Sequence, residues 1–113
     1  MPCLELTTNV RITDKSALMR ALSDCVCRGL GKAETYMMVI VNGETPMLFS
    51  GSEEPVAHLT LRALNLKEEA VRVLAGDLTA IVQDSLGIES QRTYIVFMDA
   101  DLGKWAWDGR TFA

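Results

Sequence analysis

The sequence predicts an α+β fold: two pseudo-repeated β-α-β units forming a four-stranded mixed sheet, with both helices on one face. Three observations predict it. Two long segments place apolar residues three and four apart, the period of a one-sided helix. Four short segments rich in apolar and β-branched residues read as strands. The third is an internal repeat: each half has an amphipathic segment ending in Leu-Gly (Leu30-Gly31, Leu86-Gly87). A few polar residues then lead to Thr-Tyr at the head of an apolar run (Thr35-Tyr36, Thr93-Tyr94). Right-handed crossovers within each unit put both helices on the same side of the sheet.

Residues 3–8 form the first strand, with Leu4 and Leu6 on one face and Glu5 and Thr7 on the other. Thr13 or Asp14 caps a helix from Lys15 to Gly31, whose stripe is Leu18, Ala21, Leu22, Cys25, Val26 and Gly29. Tyr36 to Val41 is the second strand, turned by Asn42-Gly43, and Pro46 to Phe49 reads as a short edge piece before the loop Gly51–Pro55. Val56 to Leu64 is the third strand, with Leu59, Leu61 and Ala63 alternating with His58, Thr60 and Arg62. The second helix runs from Lys67 to Leu86; Glu68 and Glu69 suit its positive end, and Gly87 stops it. Thr93 to Met98 is the fourth strand, and Trp105-Ala106-Trp107 precedes an Asp108-Gly109 turn.

Strands two and four are apolar on both faces (Met37, Val39, Val41 against Met38, Ile40; Tyr94, Val96, Met98 against Ile95, Phe97). With both helices on one face, the other would leave a broad apolar surface in water, more than soluble monomers usually expose. An obligate oligomer resolves the conflict.

The 113 residues suit one domain, 1–113, and the 49% hydrophobic, 23% charged composition excludes a disordered chain. A net charge of −4 without a basic stripe argues against a nucleic-acid partner. No apolar stretch approaches the roughly 18 residues needed to span a bilayer, so membrane insertion is not expected. Met1–Glu5 lacks a basic segment followed by an apolar one, which points to the cytoplasm. The three cysteines, with Cys25 and Cys27 a single residue apart, and the lone His58 do not compose a four-ligand zinc site. Neither metal nor cofactor is expected.

Met1-Pro2-Cys3-Leu4 with Thr7-Thr8-Asn9-Val10, then Gly31-Lys32, Tyr36, Pro46-Met47, Gly51-Ser52, Glu54-Pro55, Arg92-x-Tyr94 and Trp107 together resemble the macrophage migration inhibitory factor family, which includes D-dopachrome tautomerase. The resemblance implies a homotrimer whose sheets enclose a barrel, in line with the oligomer inferred from the strand faces. It also implies keto–enol tautomerisation of phenylpyruvate-like or D-dopachrome-like substrates, with Pro2 as the catalytic base once Met1 is removed. By the same resemblance Lys32 is catalytic, and Tyr36, Arg62, Leu64, Tyr94, Val96 and Trp107 bind substrate in a site completed by a neighbouring subunit. Family members leave cells without a leader, so export by that route stays open. The alternative reading is a cytokine-like protein that binds a cell-surface receptor and has vestigial turnover.

The chemistry of Pro2 can be argued apart from the family. With Met1 gone its nitrogen is a free secondary amine; with Met1 attached it is an amide without basicity. An ordinary α-amino group, with a pKa of about 7.7–8.0, is only about one-seventh free base near pH 7. A cation about 6 Å away opposes its protonation by roughly 2–3 kcal/mol at an effective dielectric of about 20. Lys32 is the candidate for that cation, and an apolar pocket would push the same way. Lys32 would also hold a substrate carboxylate and stabilise an enolate.

Four departures from the family pattern bear on the site. Val96 stands where the family usually has Asn, so the pocket floor is apolar. Ala63-Leu64-Asn65-Leu66 lacks the usual glycines, so the loop over the site should differ in shape. Arg62 adds a cation near the mouth. Val56-Ala57-His58-Leu59 replaces the Cys-x-x-Cys tied to thiol oxidoreduction in animal members, so that activity is not expected.

Overall fold

In the computed structural model, which describes residues 1–113, the chain runs β1 (Cys3–Thr8), α1 (Lys15–Leu30), β2 (Met38–Asn42), β3 (Ala57–Ala63), α2 (Glu68–Leu86) and β4 (Thr93–Asp99). A small hairpin of β5 (Ala106–Trp107) and β6 (Arg110–Thr111) follows, and short 3₁₀ turns occupy Glu34–Tyr36, Ser90–Arg92 and Leu102–Lys104. The main sheet has the order β2-β1-β3-β4. β1 and β2 are parallel, β3 and β4 are parallel, and β1 meets β3 antiparallel. The two β-α-β units expected from the repeat are therefore two parallel pairs joined back to back, which makes the sheet mixed.

Period-two alternation decides which side of the sheet is dry. Leu4, Leu6, Leu59 and Leu61 are fully buried beneath Leu18, Leu22 and Val26 of α1 and Leu74, Leu78 and Val82 of α2. The opposite side has a polar centre, with Glu5 and Thr7 on β1 and His58, Thr60 and Arg62 on β3. Its margins are apolar: Met38 and Ile40 on β2, and Tyr94, Val96 and Met98 on β4, are exposed in the single chain. Neither helix is long and apolar enough to cross a membrane.

Asp14, not Thr13, caps α1: its Oδ1 accepts from the Ala17 N–H at 3.0 Å. Gly31 (φ 64°) and Gly87 (φ 68°) stop the helices in the left-handed region. Within the first helical stripe, Ala21 and Gly29 are exposed while Cys27 is buried. At Gly29 the two helices come together, because a Cβ there would lie 2.6 Å from Leu74 Cδ2.

Several boundaries differ from the sequence reading. Tyr36 and Met37 precede the second strand: the Met37 N–H closes on the Glu34 carbonyl at 3.0 Å, and the first bond to the sheet is Met38 N–H to the Pro2 carbonyl at 3.1 Å. β2 cannot start before β1 offers it a partner. Asn42-Gly43 makes no hairpin, since the following residues turn back on β1, with Glu44 N–H to Val10 O and Thr45 N–H to Thr8 O, both 3.0 Å. Pro46–Phe49 is not an edge strand; Phe49 only bridges Ser52 across a tight turn at Ser50 (φ 55°) and Gly51 (φ 72°). The third strand and second helix are each slightly shorter than expected, and Asp99 extends the fourth strand.

Candidate active site

Pro2 begins the sheet where a residue without an N–H is tolerated, one position before β1. It is fully buried, and its carbonyl is held by Met38. Lys32 follows the Gly31 stop. Its backbone N–H bonds the Cys27 carbonyl at 2.9 Å, and its Nζ donates to the Leu64 carbonyl at 3.0 Å. That second bond ties the end of α1 to the end of β3 and fixes the ammonium beside the amino terminus.

The terminal amine, carried here by Met1, lies below its ordinary pKa. Burial is the largest cause and the Lys32 ammonium the next, with Cys27 opposing them. For the Met1 amine, dehydration thus ranks ahead of charge.

A cleft of about 300 Å³ opens at this point, lined by Met1, Pro2, Tyr36, Met38, Trp105 and Trp107 among others. Tyr36 and Trp107 meet edge to face, centroids 5.2 Å apart at 83°. Such a pair is worth about 0.5–1.5 kcal/mol beyond its buried area. Cys3 also lines the cleft; its thiol is pushed above the usual range by burial, against a smaller opposing pull from Arg62. No three His, Cys, Asp or Glu side chains are grouped to hold a metal.

Of the residues expected in the site, one chain places Pro2, Tyr36 and Trp107 on the cleft; Lys32 and Leu64 do not line it, Lys32 acting on the Met1 amine and bonding the Leu64 carbonyl. Arg62 lies on the exposed sheet face opposite Cys3, its Nη1 3.9 Å from Glu5 Oε1, and is not among the residues lining the cleft. Tyr94 and Val96 sit on β4, two strands away, level with Thr7 and Glu5. Five residues of strand separate Pro2 from the level of Tyr94 and three from that of Val96, on the order of 16 Å and 10 Å along the sheet. There Tyr94 packs edge to face on Phe49 at 4.9 Å. Arg92 holds Phe49 in place, its guanidinium donating to the carbonyls of Phe49, Ser52, Glu54 and Pro55 at 2.9–3.2 Å. Trp105 was not among the expected site residues, although its spacing from Trp107 in an extended segment puts both indoles on one side.

The family model for macrophage migration inhibitory factor matches residues 1–113. The chain belongs to the macrophage migration inhibitory factor family. A homolog of that factor from Brugia malayi is 34% identical over 114 residues, 99% of each chain. The Meriones unguiculatus factor is 31% identical over 115 residues, covering both chains completely. The crystal structure of a homologue from Prochlorococcus marinus superposes with a TM-score of 0.94 at 28% identity, over 98% of this chain and 99% of that one. The Trichinella spiralis structure gives 0.91 at 29%, over 97% and 99%. Membership of the family places the chain in the tautomerase superfamily, and so among isomerases in general.

Proposed function

We propose that the protein is a keto–enol tautomerase that uses Pro2 as its base after removal of Met1, acting on phenylpyruvate-like or D-dopachrome-like substrates. The observation that carries this reading is the apolar cleft holding Pro2 next to Met1, whose own amine is dehydrated there and acted on by Lys32. In the reaction the free imino nitrogen takes a proton from the carbon between the substrate's ring and ketone. The C–H electron pair becomes the new double bond, and the carbonyl oxygen becomes an enolate that is reprotonated from the Pro2 ammonium. A poised base of this kind contributes about 10²–10⁴ in rate. Lys32 holds the carboxylate and stabilises the enolate; Tyr36 and Trp107 supply aromatic walls for the ring.

Tyr94 and Val96 join the site only from a neighbouring copy, within a homotrimer packed through the apolar margins of the sheet. Arg62, paired with Glu5, serves the mouth of that assembly and not the floor of the cleft.

Intact mass first tests whether Met1 is removed. Phenylpyruvate enolisation should then be abolished in Pro2→Gly and reduced in Lys32→Ala. A full-length mass, or turnover indifferent to Pro2→Gly, refutes the proposal. Val96, apolar where the family resemblance predicts Asn, favours a second reading, a cytokine-like protein that engages a cell-surface receptor with little turnover. It predicts receptor binding that survives Pro2→Gly.

A further inference from the structure

Arg92-x-Tyr94, Gly51-Ser52 and Glu54-Pro55 take no part in the proton transfer, yet the fold draws them together. The Arg92 guanidinium, two residues before Tyr94, binds four carbonyls. Its Nε donates to Pro55 (2.9 Å), its Nη1 to Phe49 (3.0 Å), and its Nη2 to Ser52 (3.2 Å) and Glu54 (3.0 Å). The same guanidinium lies over the Phe49 ring, 5.2 Å from its centre. Phe49 is pinned further by reciprocal backbone bonds with Ser52, both 3.0 Å. From the other side Asn9 clamps the loop. Its Nδ2 donates to the Glu53 and Glu54 carbonyls (2.9 and 3.1 Å), and its Oδ1 accepts from the Val56 N–H (3.0 Å). Every one of these contacts is made within one chain, so none depends on how copies assemble.

We infer that Arg92 and Phe49 are positioning residues for Tyr94, fixing the ring that one copy presents to the cleft of its neighbour and so setting how tightly that cleft holds an aromatic carboxylate. A guanidinium is a rigid planar fork of donors, able to turn a loop of carbonyls into a fixed body where a lysine ammonium cannot. What that body offers is the Phe49 ring, which meets Tyr94 edge to face at 4.9 Å and 79°. A tyrosine side chain has only two main torsions, so one fixed aromatic partner leaves it little freedom. Ligand binding then need not freeze the ring, and affinity rises by the ordering already done. The inference rests on the reading of Tyr94 as part of a neighbouring copy's site, but not on proton transfer by Pro2.

The test uses the full chain after Met1 removal and phenylacetate, an aromatic carboxylate without the ketone. The chain has two tyrosines, so Tyr36→Phe assigns the Tyr94 signals in the magnetic resonance spectrum of ring-labelled protein. Phe49→Leu keeps the loop's backbone bonds and removes the ring; Arg92→Lys keeps the charge and removes the fork. Both should move the Tyr94 signals toward those of a free tyrosine. The phenylacetate Kd, read from emission of Trp105 and Trp107 in the cleft, should rise about three- to tenfold in each. Phenylpyruvate KM should rise alike, with kcat held within about twofold. In a Tyr94→Leu background, Phe49→Leu should add nothing, because its effect passes through the tyrosine. If Arg92→Lys does not fold, Phe49→Leu and its pairing with Tyr94→Leu decide alone. Unmoved Tyr94 signals, an unchanged Kd, or the same loss with and without Tyr94 would overturn the positioning role. Turnover with KM indifferent to Phe49→Leu removes that role and keeps the Pro2 reading; a weakened Kd in a protein without turnover does the reverse.

Discussion

Two effects depress the basicity of the Met1 amine, dehydration and the Lys32 charge, in that order, and a Pro2 amine freed by loss of Met1 would meet the same surroundings. They separate on titration. Because both disfavour the protonated form, the free base persists to lower pH than in an ordinary terminal amine, whose pKa is about 7.7–8.0. The acid limb of kcat/KM should therefore lie below that range, with activity lost as pH falls through the depressed value. Lys32→Ala should move the limb upward but not fully to the ordinary range, because burial remains. A limb that stays in place in Lys32→Ala would dismiss the lysine as an electrostatic partner. At this scale Pro2 and Lys32 are singled out through the family resemblance, because a proline behind a methionine and a lysine behind a helix-stopping glycine are local patterns that alone name no base. Trp105 was missed because an isolated Trp-x-Trp does not say which way its shared face points until the hairpin is formed. Tyr94 and Val96 cannot be read as neighbours of Pro2 at all from one chain, since the sheet order sets them apart.

Among the elements, the two helices were nearly fixed by their own sequences, since caps, glycine stops and a three-four apolar spacing are all local. The starts of strands were not. β2 waits for Pro2 to provide an acceptor, and the residues after Asn42 are committed to β1 instead of a hairpin. Both depend on partners distant in sequence. The helix glycines give opposing expectations. Gly76 has open space where a Cβ would go, so Gly76→Ala should raise stability by about 0.5–1 kcal/mol through helix propensity and unfolded-chain entropy. Gly29 faces buried Leu74, with Cγ as well as Cδ2 inside 3.0 Å of a new Cβ. Gly29→Ala should lower stability by about 1–3 kcal/mol by overpacking the helix pair. Urea denaturation of both variants checks the contrast; equal shifts would mean that the helices part easily at Gly29.

Across the whole molecule, the apolar margins of the exposed sheet face are the largest feature that a lone chain leaves unexplained. Ile40→Glu places a charge on one margin, where a free monomer would tolerate it; light scattering should show loss of the assembly, and an unchanged mass would remove Ile40 from any subunit contact. Alkaline stability is a second global property. The thiols of Cys3, Cys25 and Cys27 are all raised, burial being the largest cause in each. A raised folded value means that the native chain keeps protons the unfolded chain gives up above about pH 8.5. Their stabilising contribution is thus complete below that pH and lost as pH climbs through the raised values. The urea midpoint should fall between about pH 7 and about pH 10, and fall less in the Cys25→Ala, Cys27→Ala double variant. Equal falls would assign the effect to other groups.

The back-to-back pairing of β1/β2 with β3/β4 makes one half of the chain the counterpart of the other, and the counterparts have diverged in chemistry. Gly31 is followed by Lys32, half-exposed and reaching toward the amine, whereas Gly87 is followed by Ile88, wholly enclosed in hydrocarbon. The equivalent spot in the second half is plugged with hydrocarbon, so of two matching positions behind a helix stop one presents a cation and the other serves the core.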